Sequence, residues 1–262
     1  YQPRAWVDGS TLIHIPQGEF VMGAREDAGA RNMVNLDEFW IYRTEVTNSM
    51  YSRCVAAGIC TLPFAKDYDT PFHANEPVVN VKWEQADTYC KWLGARLPTE
   101  AEWEKAARGP DGNLYPWGSE PPDCSLLNFN GCMGMPSFVS DYPAGGSFYG
   151  VMDMAGNVFE WVADWYNEAS PGGTPAGQEG EYRSVRGSGF LSGEQEVNLA
   201  NRSYLPPGEH RDDLGFRCAV DDPEVYPPAC SLLPIFVQGT TDLPETEKCP
   251  ALYAEVVSQV CS

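Results

Sequence analysis

The nine cysteines are the residues of this sequence best suited to chemistry, and their spacing indicates disulfide bonds rather than a metal centre. Zinc-type sites use tightly spaced CxxC pairs or cysteines clustered with histidines, and neither pattern occurs here. Cys54 and Cys60, and likewise Cys124 and Cys132, are close enough in sequence to close a small loop. Disulfides would place the protein in an oxidising compartment outside the cytoplasm.

No catalytic set of hydroxyls, histidines or carboxylates stands out. Ser188 and Ser192 have no evident histidine partner, because His210 is on a separate proline-flanked loop and no GxSxG elbow is present. Nothing in the spacing of the carboxylates singles out an acid–base pair. The sequence therefore favours a binding role over a familiar hydrolytic one.

Three short helices are predicted to position these residues. The clearest start signal is Thr99, an N-cap whose capping box is completed by Glu102, and Gly109 ends that helix. Thr47 can cap an earlier helix, and apolar residues at three- and four-residue spacing predict another between the two. The two earlier helices are predicted at about residues 48–58 and 83–93.

Short strands and turns are predicted for most of the remaining chain, which has 25 glycines and 22 prolines. Residues 11–23 alternate apolar and polar side chains around Pro16 and Gly18, which predicts a β-hairpin. Residues 34–47 are predicted to continue as a strand. Late strands are predicted at residues 181–192 and 213–222.

The charge balance is strongly acidic. With 17 basic and 37 acidic residues the net charge is −20, which argues against partners that carry phosphate, whether nucleic acid or anionic lipid. Solubility and carboxylate sites for calcium are both open interpretations of this acidity. No stretch is long and apolar enough to insert into a membrane, and the start at Tyr1 is what we expect of a processed, secreted chain.

Several motifs occur along the chain in a recognisable order: IPQGEFVMG, EVTNSMY, PVVNVKWEQADTYCKWLGARLPTEAEWEKAARG, YPWG, MDMAGNVFEWVADWY, VRGSGF and LGFRCA. This set resembles formylglycine-generating-enzyme-like domains, the sulfatase-modifying-factor family, over about residues 8–222. The resemblance implies an α+β fold, a loop-rich variant of the C-type-lectin fold with few short helices and small antiparallel sheets. We expect the domain to span residues 1–222.

The founding activity of that family is the oxidation of a cysteine in a sulfatase peptide to an aldehyde, using oxygen and copper. The resemblance implies two cysteines shortly after the motif at residues 186–190, where soft thiolates would hold copper(I). Ser192 stands at the first of these positions, and no cysteine occurs between Cys132 and Cys218. Because a serine hydroxyl neither holds copper(I) nor undergoes thiol redox chemistry, we expect a non-catalytic binding or structural module. A copper-using oxidase that generates formylglycine is the alternative.

The resemblance also implies a structural disulfide between Cys90 and Cys218. Three further cysteines, Cys230, Cys249 and Cys261, lie in a proline-rich segment at residues 223–262, which we expect to be an appendage clamped onto the domain. One pair is expected among them, and the odd thiol is either free or bonded to another chain. Such a bond would attach the protein to an extracellular assembly.

The segment MDMAGNVFEW resembles the part of the family that binds structural calcium through two side chains and two carbonyls. The matching positions are Asp153 and Glu160 by side chain, and Gly156 and Val158 by carbonyl. A glycine-containing turn that directs carbonyls inward between two carboxylates suits a cation that takes six to eight oxygens. The alternative is that both carboxylates cap the turn and pair with a nearby arginine.

A second calcium site of the family would use the Asn128 side chain and the Phe129 carbonyl. Its other ligands come from a longer acidic loop, which is shortened here to MGMPSFVSD, so we expect this site to be incomplete.

The segment from Phe190 to Arg211 corresponds to the region where the family builds its substrate groove. It holds a polar set with one aromatic ring: Glu194, Glu196, Asn198, Asn201, Arg202, Tyr204 and His210. Such residues suit hydrogen bonding and stacking with an extracellular protein or a glycan. The alternative is that this segment only covers the surface.

Overall fold

A computed structural model describes residues 2–23, 32–65, 68–168 and 179–223. Within these ranges the chain forms three short helices, ten short strands and three small sheets joined by long loops, which confirms the expected α+β, loop-rich class. No helix in these ranges is long and apolar enough to cross a membrane. Cys230, Cys249, Cys261 and nearly all of the predicted appendage lie outside the described residues.

Three sheets hold the strands. In chain order the strands are β1 (Arg4–Ala5), β2 (Thr11–Ile15), β3 (Gly18–Met22), β4 (Asn32–Leu36), β5 (Phe39–Tyr42), β6 (Phe159–Trp165), β7 (Arg183–Arg186), β8 (Ser203–Leu205), β9 (Leu214–Phe216) and β10 (Ala219–Val220). The first sheet has the order β1-β2-β5-β10, and β3 pairs with β4 alone. The third sheet has the order β8-β7-β6-β9, in which β6 and β9 run parallel.

The prediction of a β-hairpin at residues 11–23 is wrong. Thr11–Ile15 pairs with β1 and β5, whereas Gly18–Met22 pairs with β4 in another sheet. The reason is burial, because four consecutive residues of β2 are buried and the strand needs neighbours at both edges. The single strand predicted at residues 34–47 is likewise two strands, β4 and β5, which belong to different sheets.

The three helices begin where the sequence predicts, and the first two end one or two residues earlier than predicted. They are α1 (Asn48–Ala56), α2 (Trp83–Trp92) and α3 (Glu100–Arg108). The Thr99 hydroxyl accepts a hydrogen bond from the Glu102 N–H at 3.2 Å, and the Glu102 carboxylate accepts one from the Thr99 N–H at 2.7 Å, which completes the capping box. Gly109 follows α3 in the left-handed region, with a φ of 69°.

The three predicted disulfides, Cys54–Cys60, Cys90–Cys218 and Cys124–Cys132, are confirmed. The Cys90–Cys218 bond is wholly buried and joins α2 to the chain between β9 and β10. It connects residues 128 positions apart, so it constrains the whole domain, whereas the other two bonds close local loops.

A buried network of charges fixes α3 against the third sheet. The Arg186 guanidinium on β7 contacts Glu100 at 3.1 Å and Glu104 at 2.7 Å. Arg108 pairs with the other oxygen of Glu104, and Arg202 donates to Glu100 at 2.6 Å. Burial alone would raise the pKa of Glu100, but Arg202 and Arg186 outweigh it and hold this pKa below its usual value. The chain leading into β8 is therefore tied to the core.

Removing the Cys90–Cys218 bond should destabilise the protein far more than removing Cys124–Cys132. Loop-closure entropy predicts a loss of about 5 kcal/mol for the long loop and about 2.5 kcal/mol for the short one. The measurement is denaturant unfolding of C90A/C218A and C124A/C132A beside the unchanged protein. Equal losses would contradict the assignment of Cys90–Cys218 as the principal long-range constraint.

Candidate functional site

The buried turn between Asp153 and β6 is the most site-like feature of the described chain. Asp153, Gly156 and Asn157 all have positive φ values, of 58°, 74° and 60°, so the backbone turns tightly here. Glycine is required at 156, because a side-chain carbon there would clash with the carbonyl oxygen of Asn128. Every residue from 151 to 158 is buried, so polar atoms in the turn depend on partners inside the protein.

The carboxylate of Glu160 is occupied by an arginine and a tryptophan. Arg217 donates to both of its oxygens at 2.7 Å, and the Trp103 indole N–H donates at 2.9 Å. This bidentate pair is fully buried and joins β6 to the chain after β9. The arginine pairing considered from sequence therefore holds for Glu160.

Asp153 lies beside a second carboxylate that the sequence analysis did not select, Glu45. One Asp153 oxygen accepts a hydrogen bond from the Ser140 N–H at 2.7 Å. Burial raises the pKa of Asp153 to about 6, with a smaller contribution from Glu160, while the Ser140 N–H and Arg217 lower it. Burial and the Asp153 charge likewise raise the pKa of Glu45 well above its usual value.

The turn contains buried oxygens of the chemical types that calcium binds. No hydrogen bond to the carbonyl oxygen of Gly156 or Val158 is found within the described ranges, and buried carbonyls seldom go without one. In the same ranges no three His, Cys, Asp or Glu side chains form a metal-binding group. A site here would therefore depend on carbonyls together with two carboxylates, a mixed set that calcium accepts.

In the second expected calcium site, one of the two predicted ligand oxygens has no hydrogen-bond partner among the described residues, and the other accepts a hydrogen bond. The side-chain oxygen of Asn128 is buried with no partner among the described residues, while its amide donates to the Met135 carbonyl at 2.8 Å. The Phe129 carbonyl accepts from the Cys132 N–H at 2.8 Å. This site stays a prediction.

The first part of the segment at residues 190–211 is held by buried residues. Ser192 is 7% exposed, and its hydroxyl accepts a hydrogen bond from the Gly189 N–H at 3.1 Å. Its carbonyl accepts from the Asn130 N–H at 3.0 Å, which ties the segment to the loop that Cys124–Cys132 closes. Val197 and Leu199 are buried farther along. Ser192 thus contributes a buried, hydrogen-bonded hydroxyl to the structure.

The first four predicted ligand residues form one compact turn. Glu194, Glu196 and Asn201 are exposed, and the Asn201 amide donates to the Gln195 carbonyl at 2.9 Å. The Asn198 side chain accepts from the Ala200 N–H at 3.0 Å. These internal hydrogen bonds hold the turn in shape while its two carboxylates face solvent.

Of the other three predicted ligand residues, Arg202 and Tyr204 both contact the Tyr166 ring, whereas His210 has a different partner. Arg202 is committed to Glu100, as described above. Tyr204 is half exposed and stacks on Tyr166 with ring centroids 4.3 Å apart. His210 stacks on Phe64 at 4.0 Å. The structure thus supports a surface role for Tyr204 and a largely internal one for Arg202.

A depression of about 240 Å³ opens beside Tyr204. It is lined by Phe159, Val185, Arg202, Ser203, Tyr204, Leu205 and Arg211. The two arginines are already paired, Arg202 with Glu100 and Arg211 with Asp213 at 2.5 Å. The groups of the depression that remain available to a ligand are therefore mainly apolar side chains and hydroxyls. Such groups suit contact with an apolar side chain or the face of a sugar.

A family model described as "Sulfatase-modifying factor enzyme 1-like domain" matches residues 2–222. The chain belongs to this sulfatase-modifying factor family. The fold agrees, since the structure of PvdO from Pseudomonas aeruginosa superimposes with a TM-score of 0.72 at 23% identity, over 85% of this chain and all of that one. The predicted fold family is therefore confirmed.

Curated relatives in the family carry different names. "Serine/threonine-protein kinase pkn1" of Chlamydia caviae is 43% identical over 79% of this chain and 37% of that protein. "Formylglycine-generating enzyme" of Thermomonospora curvata is 39% identical over 56% of each chain. "Inactive C-alpha-formylglycine-generating enzyme 2" of Mus musculus is 38% identical over 55% of this chain and 48% of that one. The matches thus span between about a third and about half of these relatives' lengths.

Sequence reasoning missed Glu45, Asn157 and Arg217 as partners in the site. All three lie inside the quoted motifs, EVTNSMY, MDMAGNVFEW and LGFRCA. The motifs mark these residues but not their contacts, because Glu45 and Arg217 are 172 positions apart from one another and meet only through the fold.

Without divalent cations, the free energy of unfolding should increase as the pH is lowered from 7 to 5. The pKa of Asp153 is about 6 in the folded protein and about 4 in an unfolded chain. Protonation of Asp153 therefore contributes stability that is present below the unfolded pKa and is lost as the pH rises through 6. Denaturant unfolding in EDTA across this range measures the slope, and Asp153→Asn should reduce it.

Some slope should remain in that variant, because burial also raises the pKa of Asp164 to about 6 and the pKa of Glu45 well above its usual value. The exposed Asp212→Asn serves as the control and should leave the slope unchanged. Equal slopes for Asp153→Asn and the unchanged protein would show that Asp153 is not the titrating group.

Proposed function

We propose that this domain is a non-catalytic binding or structural module on a sulfatase-modifying-factor scaffold. One observation supports the proposal: Ser192, which the family resemblance aligns with the first copper-binding cysteine, is buried and its hydroxyl is hydrogen-bonded. In addition, the six cysteines of the described residues are all in disulfides, so none of them offers a thiolate to copper(I).

The relatives are compatible with such a role without deciding it. A formylglycine-generating enzyme and a protein named as inactive match this chain at 39% and 38% identity, so overall similarity does not separate the two functions. A serine at residue 192 supports the non-catalytic alternative, because redox chemistry with copper requires a thiolate and a hydroxyl cannot replace it.

The ligand is an extracellular protein or glycan that contacts the 190–211 segment. Glu194, Glu196 and Asn201 supply exposed polar groups, and Tyr204 supplies an exposed ring at the edge of the depression. Aromatic faces stack on sugars and apolar side chains, while carboxylates and amides fix orientation by hydrogen bonds. The disulfides support a location outside the cytoplasm, and the cysteines after residue 223 could link the domain to an assembly.

Calcium is the proposed structural cofactor. The Asp153 and Glu160 carboxylates and the carbonyls of Gly156 and Val158 would hold it. When bound, the ion would supply no redox chemistry, only positive charge that offsets the buried carboxylates of the turn.

The protein should generate no aldehyde on a sulfatase-type cysteine peptide. The assay incubates protein and peptide in air with and without copper(I), and traps any aldehyde with a hydrazide probe. The formylglycine-generating enzyme of Thermomonospora curvata serves as the positive control. A copper-dependent aldehyde signal above a no-enzyme blank would overturn the non-catalytic assignment.

Binding should depend on the 190–211 surface. If the unchanged protein binds glycans on an array or an extracellular protein in solution, Tyr204→Ala and Glu194→Ala should abolish that binding. The matched control is Glu19→Ala, an exposed glutamate on β3 in another sheet. Equal retention by all three variants would show that this segment only covers the surface.

A further inference from the structure

Three large apolar side chains are exposed on one short loop, residues 132–139. Met133, Met135 and Phe138 are 50%, 54% and 44% exposed, although they lie within six consecutive residues. Large apolar side chains at the surface of a soluble protein are normally scattered singly, and a group of them marks a contact surface. Methionine is flexible and polarisable, so it adapts to the apolar side chains of a partner. The 132–139 loop is therefore a candidate docking surface.

Hydrogen bonds from the backbone of the loop to buried residues hold it in place. The Met135 carbonyl accepts from the Asn128 amide at 2.8 Å, and the Ser137 N–H donates to the side-chain oxygen of Asn157 at 2.9 Å. Asn128 and Asn157 are each 1% exposed. A partner would thus meet a surface whose backbone is already ordered, which lowers the entropic cost of binding.

A fourth apolar side chain, Phe72, extends this surface. The Val139 N–H donates to the Asn75 carbonyl at 2.9 Å, which brings the turn that carries Phe72 against the end of the loop. Phe72 is 84% exposed, the highest value among the large apolar side chains of the described residues. Together with Met133, Met135 and Phe138 it forms what we call the apolar patch.

Exposed carboxylates lie at both ends of the loop. Asp123 directly precedes the first cysteine of the disulfide that holds the start of the loop, and the Asp141 N–H donates to the Phe138 carbonyl at 3.2 Å. Residues 109–182 contain no lysine or arginine. Apolar surface between carboxylates is complementary to a segment that carries both apolar and basic side chains.

Charge also decides among the possible occupants of the patch. A second copy of this chain would bring its own net charge of −20, so the two copies repel each other. The chain after residue 223 is acidic as well, since one basic residue, Lys248, stands against Glu224, Asp242, Glu245, Glu247 and Glu255. A cationic segment of a different polypeptide is therefore favoured over both.

We infer that the apolar patch binds a basic, amphipathic segment of another polypeptide. Apolar side chains of that segment would cover the two methionines and the phenylalanine rings, while its basic side chains would lie against Asp123 and Asp141. The patch lies outside the 190–211 segment, so this inference goes beyond the proposed function and is tested separately from it.

Fluorescence anisotropy with labelled model peptides tests the inference on the full chain. The probe is a helical peptide of leucine and lysine with all its leucines on one face. We expect Met135→Ser and Phe138→Ser each to weaken its binding by at least about tenfold, because each removes a large apolar contact. Leu62→Ser changes an exposed apolar residue in another loop and should bind the peptide as the unchanged protein does.

Charge variants and control peptides test the electrostatic part. Replacing Asp123 and Asp141 together by asparagine should weaken binding and reduce its dependence on salt, whereas Glu19→Gln, on β3, should not. A shuffled peptide of the same composition should bind more weakly, because its leucines share no face. A leucine–glutamate peptide with the original pattern should not bind.

Several outcomes would overturn the inference. Equal binding by Met135→Ser, Phe138→Ser and Leu62→Ser, or by the shuffled peptide, would show only a general attraction to an acidic protein. No binding of the leucine–lysine peptide, or equal binding of the leucine–glutamate peptide, would remove the basic partner. If the unchanged protein self-associates in sedimentation and Phe138→Ser does not, a second copy covers the patch instead. Should Phe138→Ser not fold, as judged by circular dichroism, Met135→Ser decides.

Discussion

The pairing of buried charge is the constraint on which the rest of this structure depends. Glu160 on β6 is enclosed by Arg217 and Trp103, and Glu100 and Glu104 on α3 are enclosed by Arg186 with Arg202 and Arg108. All of these pairs except Glu104–Arg108, which lies within α3, bridge segments that are distant in sequence. Helix α3 and the third sheet therefore cannot separate without leaving a charge exposed or unpaired. A fold with short strands and few helical turns gains its unique arrangement from these contacts as well as from its apolar core. This explains why so loop-rich a chain holds a tight turn at residues 153–158.

The sequence was most informative where structure is local. Thr99 and Glu102 define the start of α3 by contacts three residues apart, and both short disulfide loops follow from spacing alone. Strand pairing was less accessible. Residues 11–15 and 18–22 alternate as a hairpin would, yet they belong to separate sheets, because the partners of β2 come from residues 4–5 and 39–42. Alternation specifies a strand's faces and does not specify its neighbours.

The candidate site shows the same division between local and long-range information. The turn residues Asp153, Gly156 and Val158 were found by resemblance, and their backbone has the tight geometry that a glycine-containing turn requires. Their electrostatic environment could not be predicted, since it is set by Glu45 and Arg217, which approach from elsewhere in the chain. Arg202 shows the opposite case. The sequence predicts a ligand-binding residue at the surface, but in the structure Arg202 forms an ion pair with the buried carboxylate of Glu100.

The distribution of charge also bears on the ligand. Of the 17 basic residues, Lys105, Arg108, Arg186 and Arg217 are buried in the described structure and meet carboxylates or carbonyls there. The exterior therefore carries fewer positive charges than the composition suggests, while Glu194 and Glu196 remain in solvent beside the 190–211 segment. Charges at such a surface act over a screening length of about 8 Å at physiological salt, so they influence the approach and orientation of a partner more than the strength of the final contact. A partner with basic or neutral hydrogen-bonding groups would be favoured there, and the half-exposed ring of Tyr204 beside an apolar depression would supply the closer contact that charge alone cannot.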